Sequence, residues 1–191
     1  MTRDREEGMR QGRGNKEEGI ERVARALARV RVPLGFLCAG AVLWLAQPTP
    51  RSLAAGAVIA AAGELIRIWA AGHLDKGREV TQSGPYRMTR HPLYVGSAIV
   101  AAGAAVASAR ASAAMVIGIY MAATIASAIR HEEASMRAAF GEAYDAYARS
   151  HAMRVERPYS FHRAMSINKE YKAVAGLIAV AALLAAKAWS G

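Results

Sequence analysis

The sequence predicts an all-α fold: a polytopic integral membrane protein of about five transmembrane helices preceded by an amphipathic interfacial helix. Three observations carry that reading. Of 191 residues, 53% are hydrophobic while the formal net charge is +10, and the charges are gathered into blocks between nearly uncharged apolar stretches. Those stretches fall at about 32–47, 52–74, 92–108, 111–129 and 171–189, close to the ~20 residues that a helical span needs. Lys and Arg crowd the N-terminal tail, the 75–91 loop and the 130–170 segment, and are sparse at 48–51 and 109–110. That alternation fits five spans with the N-terminus in the cytoplasm.

The elements follow in order. Residues 1–31 read as a basic cytoplasmic tail, in which Ile20, Val23, Leu27 and Val30 share one face of a helix suited to an anionic membrane surface. Residues 32–191 form the membrane domain. Its first span ends at the tight link Pro48-Thr49-Pro50-Arg51. The second carries Glu64 and Arg67; a charge at the bilayer centre costs on the order of 3 kcal/mol, but at this spacing the two share a helical face and can pair. The third and fourth spans are separated only by Ala109-Arg110, so they form an antiparallel hairpin, with Gly96, Gly103 and Gly118 allowing close approach. Residues 132–151 read as an amphipathic helix with Met136, Phe140, Tyr144 and Tyr147 as a packing stripe and Gly141 as a weak point. A last apolar run begins at Tyr171.

Composition excludes several function classes. The basic residues gather at the ends of apolar segments instead of striping one face, which argues against nucleic acid. The one cysteine, Cys38, allows neither a disulfide framework nor a thiolate cluster. His131-Glu132-Glu133 begins like a zinc-protease helix, but Ser135 stands where the second histidine would be; no metal site is expected.

One stretch stands apart: Gly84-Pro85-Tyr86-Arg87, then Arg90-His91-Pro92-Leu93-Tyr94-Val95-Gly96. Pro92 suits the first position of a helix and holds His91 in the entry turn. The opening amides of that helix can hold an anionic group; Arg87, Arg90 and His91 add donors, and Tyr86 and Tyr94 add ring faces. The hairpin returns the chain to the side it left, bringing His91 near Glu132 and Glu133. Carboxylates beside arginines and a helix start suit a zwitterionic amino acid. S-adenosylmethionine is such a ligand, with a sulfonium that an aromatic face or carboxylate can stabilise.

Taken together, the Gly-Pro-Tyr-Arg and Arg-His-Pro-x-Tyr-x-Gly blocks and the Glu-Glu pair one hairpin later resemble the isoprenylcysteine carboxyl methyltransferase family, whose core the phospholipid N-methyltransferases share. The resemblance spans about 84–158, with Phe140-Gly141, Tyr144, Tyr147 and Pro158 also in keeping. It implies an integral membrane enzyme that binds S-adenosylmethionine through Tyr86, Arg90, His91, Pro92, Tyr94, Gly96, Glu132 and Glu133. The last span lies beyond it, and residues 153–158 match only loosely.

Methyl transfer from a sulfonium is an in-line displacement that depends on positioning in a water-poor site. An isoprenylcysteine-like carboxylate acceptor needs an arginine to orient it, for which Arg67, Arg87 and Arg154 are candidates. A phospholipid amine arrives protonated and needs a base, for which Glu64, His91 and Glu133 are candidates. The expected partner is therefore a membrane lipid or lipidated acceptor, and the expected location a cell inner membrane with the active site facing the cytoplasm. The rival readings are an NADPH-dependent reductase like the sterol reductases, for which no nicotinamide motif is present, and a non-catalytic membrane scaffold.

Overall fold

The computed structural model describes residues 33–149 and 156–190; the tail, the interfacial helix and Arg154 lie outside them. The described chain is helical: α1 (Pro33–Leu45), α2 (Pro50–His73), α3 (Pro92–Ser108), α4 (Ala111–Phe140), α5 (Glu142–Ala148) and α6 (Tyr171–Ser190). A 3₁₀ turn, Gly84–Arg87, and a π-helical turn, Arg163–Ile167, interrupt the connections. Among the described residues α2, α4 and α6 are long and apolar enough to cross a membrane, and α1 and α3 are shorter apolar helices. The chain is a polytopic membrane protein.

Its surface is that of a protein dissolved in lipid. Large apolar side chains point outward, among them Phe36, Trp44, Val58, Ile119 and Ile178, while the buried positions are held by small residues such as Ala46, Ala60, Ala70 and Ala113. In a bilayer an outward leucine is no worse off than a buried one, so helices associate through close backbone packing and polar contacts instead.

The α2–α3 seam shows this most clearly. A Cβ placed on Gly56 would lie 2.5 Å from the carbonyl oxygen of Gly103, and one on Gly63 would lie 2.7 Å from that of Gly96. The predicted close approach of α3 to α4 is corrected here: Gly96 and Gly103 face α2, and Gly118 on α4 has nothing within 4 Å. Between α3 and α4 runs an apolar groove of about 510 Å³, walled by residues such as Ala98, Ala102, Ile117 and Met121.

Caps fix the element ends. Thr49 and Ser52 form a reciprocal capping box at the start of α2, with Ser52 N–H donating to Thr49 Oγ1 at 3.1 Å. The carbonyls at the end of α2 are covered by the segment before α6: Asn168 Nδ2 donates to Ala71 O (2.8 Å) and Leu74 O (3.1 Å), and Arg163 donates to Gly72 O (2.7 Å). At the opposite end Lys187 of α6 donates to Leu43 O and Trp44 O of α1.

Helix α4 differs from its predicted form. Its 30 residues continue past Ile129 to Phe140, about 45 Å at 1.5 Å per residue and longer than the ~30 Å hydrocarbon core. The break into α5 comes at Gly141, whose φ of +47° disfavours any other residue. The protruding turns of α4, with α5 folded back, form one wall of the site.

Candidate active site

The elbow is built on the end of α2. Gly84 has a φ of +56°, and a Cβ there would run into the His73 ring, which is itself fixed by a 3.1 Å hydrogen bond with Ser83 Oγ. Glycine is thus required for this close approach. The 3₁₀ turn that follows buries Tyr86, whose carbonyl accepts a 2.8 Å hydrogen bond from the Tyr147 hydroxyl of α5. His91 then adopts a non-helical φ of −130° and ψ of 54°, and Pro92 opens α3, as their order in the sequence predicts.

Across from the elbow, α4 presents its two acids. Glu133 accepts from His91 Nε2 at 3.2 Å and pairs with Arg90 at 3.1 Å, while Arg137 reaches its other oxygen at 3.5 Å. Arg137 also pairs with Asp145 and lies 5.6 Å from the centroid of the Tyr144 ring. The hairpin therefore does bring His91 and the acid pair together at one end of the molecule.

Between these walls lies a cavity of about 510 Å³. Tyr86, Arg90, His91, Pro92, Tyr94 and Glu132 line it, with Tyr144 and Tyr147. The stripe read as packing (Met136, Phe140, Tyr144 and Tyr147) thus faces the cavity, as do Lys76 and Glu79 of the loop after α2. The loop residues gave no motif to find them by. Glu132 pairs with no cation among the described residues. His91 Nδ1 and the Tyr144 hydroxyl are buried without a hydrogen-bond partner, and polar atoms buried in this way are costly unless something completes them. Burial raises the Tyr86 phenol, and the Glu132 charge raises it further. The Tyr147 phenol is pushed up to about 12, chiefly by burial. Both hydroxyls therefore remain protonated donors at neutral pH.

The other predicted site residues stand apart. Gly96 packs against Gly63 and the Arg67 side chain on the α2 side. Glu64 and Arg67 pair at 3.3 Å within α2, and Arg67 also binds Ser97 of α3 and, at 2.8 Å, Glu170 at the start of α6. Arg87 pairs with Glu156. The Glu64–Arg67 pair was legible from its spacing; the Glu170 partner, 103 residues further on, was not.

Residues 53–143 match the family described as phospholipid methyltransferase. That stretch is similar to the phospholipid methyltransferases. The match begins in α2 and ends in α5, taking in the elbow, both acids and the glycine seam, in agreement with the resemblance read from the motifs. No curated protein and no solved structure matches the chain. The cavity lining is chemically compatible with S-adenosylmethionine. The start of α3 suits its carboxylate, Glu132 suits its ammonium, and the tyrosine rings suit its sulfonium. Of the two orphaned atoms, Tyr144 Oη supplies a hydrogen-bonding site for the remainder.

Proposed function

We propose that the protein is an S-adenosylmethionine-dependent methyltransferase of the membrane, acting on a lipophilic acceptor whose reactive group is a phospholipid amine. The observation that carries this reading is the convergence, in one cavity, of the elbow with a carboxylate and two buried polar atoms that have no partner among the described residues. S-adenosylmethionine, when bound, supplies a methyl group activated on sulfonium. The chain's own part is to orient donor and acceptor in line and to exclude water. An amine is favoured over an isoprenylcysteine-like carboxylate because the tyrosine rings of the cavity suit a cation, whereas Arg90 is committed to Glu133. The end of the molecule that bears the cavity also carries Arg78, Arg87, Arg90, Arg137 and Arg157, which supports a cytoplasmic orientation.

The test uses purified protein in detergent. S-adenosylmethionine should raise its melting temperature and NADPH should not; incubation of lipid extracts with the labelled cofactor should then mark an amine-bearing phospholipid. Glu132→Ala should weaken cofactor binding roughly 10- to 100-fold, an amount typical of losing one charge-assisted contact, while the melting temperature without cofactor stays put. Stabilisation by NADPH alone, or label appearing only on carboxylates, would overturn the proposal.

A further inference from the structure

The two adjacent acids of α4 serve different ends. Glu132 faces the cavity, whereas Glu133 is turned to the His91 ring, with side-chain exposures of 18% for Glu133 and 13% for His91. An ionised carboxylate can only accept hydrogen bonds, and the guanidiniums of Arg90 and Arg137 on Glu133 keep it ionised. The proton in the His91–Glu133 bond therefore belongs to Nε2, and Nδ1 retains its lone pair. That nitrogen is buried, has no hydrogen-bond partner among the described residues, and belongs to a residue of the cavity wall. An imidazole oriented by a carboxylate on one side and open to a reacting group on the other has the layout of a general base.

We infer that His91 Nδ1 takes the proton from an alkylammonium acceptor and that Glu133 is the positioning residue that fixes its tautomer and ring orientation. The inference rests on the proposed methyl transfer. In the first step an N–H bond of the ammonium breaks, its electron pair stays on nitrogen, and the proton moves to Nδ1, leaving an imidazolium beside Glu133. The freed lone pair then forms the N–C bond while the C–S bond of a methylsulfonium donor breaks, its pair leaving on sulfur as a thioether. The imidazolium passes its proton to water afterwards, and no oxidant or reductant is required. A carboxylate acceptor has no proton to lose, so this dyad is a device for amines.

The charged and titratable groups among the described residues that share the site with the ring include Arg90 and Tyr86 on the elbow, Tyr94 on α3 (ring centroids 5.9 Å apart), His131, Glu132 and Arg137 on α4, and Tyr144 and Tyr147 on α5. Of these, the two guanidiniums bind Glu133 and not the imidazole, so removing the Glu133 charge acts on His91 directly.

Two measurements test the dyad. Nitrogen-15 spectra of histidine-labelled, cofactor-free protein in micelles should show His91 as the Nε2–H tautomer, and Glu133→Leu should let the Nδ1–H form appear, since the acceptor that selects the tautomer is gone. In turnover with phosphatidylethanolamine, His91→Gln can still bond Glu133 but cannot take a proton; kcat should fall by about 10²- to 10⁴-fold, as for loss of a general base, with S-adenosylmethionine affinity changed far less. Glu133→Leu should lower kcat in proportion to the share of His91 that has lost the Nε2–H form. An Nδ1–H tautomer in the wild type, an unchanged tautomer in Glu133→Leu, or loss of turnover only in step with cofactor affinity would each overturn the inference. A wild-type protein that methylates no amine would instead overturn the proposed function, while the spectra still report whether the dyad exists.

Discussion

The two sides of α3 are made from similar residues and behave differently. Toward α2 its glycines meet glycines in register, and Arg67 ties the seam to Ser97 and Glu170. Toward α4 the same helix offers alanines to alanines and isoleucines, leaving a groove, and contact is concentrated at the two ends. At one end is the hairpin turn with Ala109 in the left-handed region (φ 50°), and at the other the Arg90–His91–Glu133 cluster. Small residues allow close packing, then, only where both helices place them opposite one another. One side of α3 is a rigid anchor, and the other is a space held open by polar struts. The site lies on the open side.

The largest effect should come from the anchor. Arg67 holds two carboxylates whose side chains are 9% and 8% exposed. Arg67→Ala would strand both, and breaking a buried pair in this way costs about 3–5 kcal/mol; thermal unfolding in detergent should register it as a collapse in stability. Replacing all three by apolar or neutral residues of similar size should restore most of the loss. If Arg67→Ala were as stable as wild type, the anchor would not be one.

A smaller effect should separate the two sides by steric means alone. Gly63→Val drives a side chain into the Gly96 carbonyl and Val100, overpacking of the kind that costs about 1–3 kcal/mol. Gly118→Val, on the open side, meets nothing within 4 Å and should change the melting temperature little. Equal losses at both positions would mean that the groove closes in the membrane and the contrast is lost.

The fold was largely legible because lipid exposure and charge blocks are written in one dimension. The borders of α3 and the start of α6 fall where the apolar runs place them, and Pro92 marks a helix start with no help from distant residues. What was not legible depended on register between helices. Gly96 and Gly103 announce close approach but not the partner. Met136, Phe140, Tyr144 and Tyr147 recur at helical spacing whether they pack on a core or line a cavity, and only the fold-back at Gly141 decides. The Glu132-Glu133 pair reads as two equivalent acids; which one meets His91 is set by the rotation of α4 about its axis. Glu170 lies too far along the chain for any local pattern to join it to Arg67.

The smallest expected effect concerns the loop that completes the open side. Arg157 binds Asp75 at 2.8 Å and Glu79 at 2.7 Å, strapping the 74–81 loop, part of the cavity wall, to the segment before α6. These pairs are partly exposed, so salt screens them and each contributes little to stability. The hydrogen bond from Arg157 holds the Asp75 carboxyl below its usual range. A carboxyl depressed in the folded state stabilises it above the ordinary value of ~3.9 and loses that contribution as pH falls through the depressed one. Between pH 5 and 3 the wild type should therefore lose more protection of the loop amides against hydrogen exchange than Asp75→Asn, which starts lower and stays flat. The α2–α3 seam should show no matching difference between the two proteins. If the seam amides responded along with the loop, the two sides of α3 would be one cooperative unit, and the strut-and-anchor division would fail.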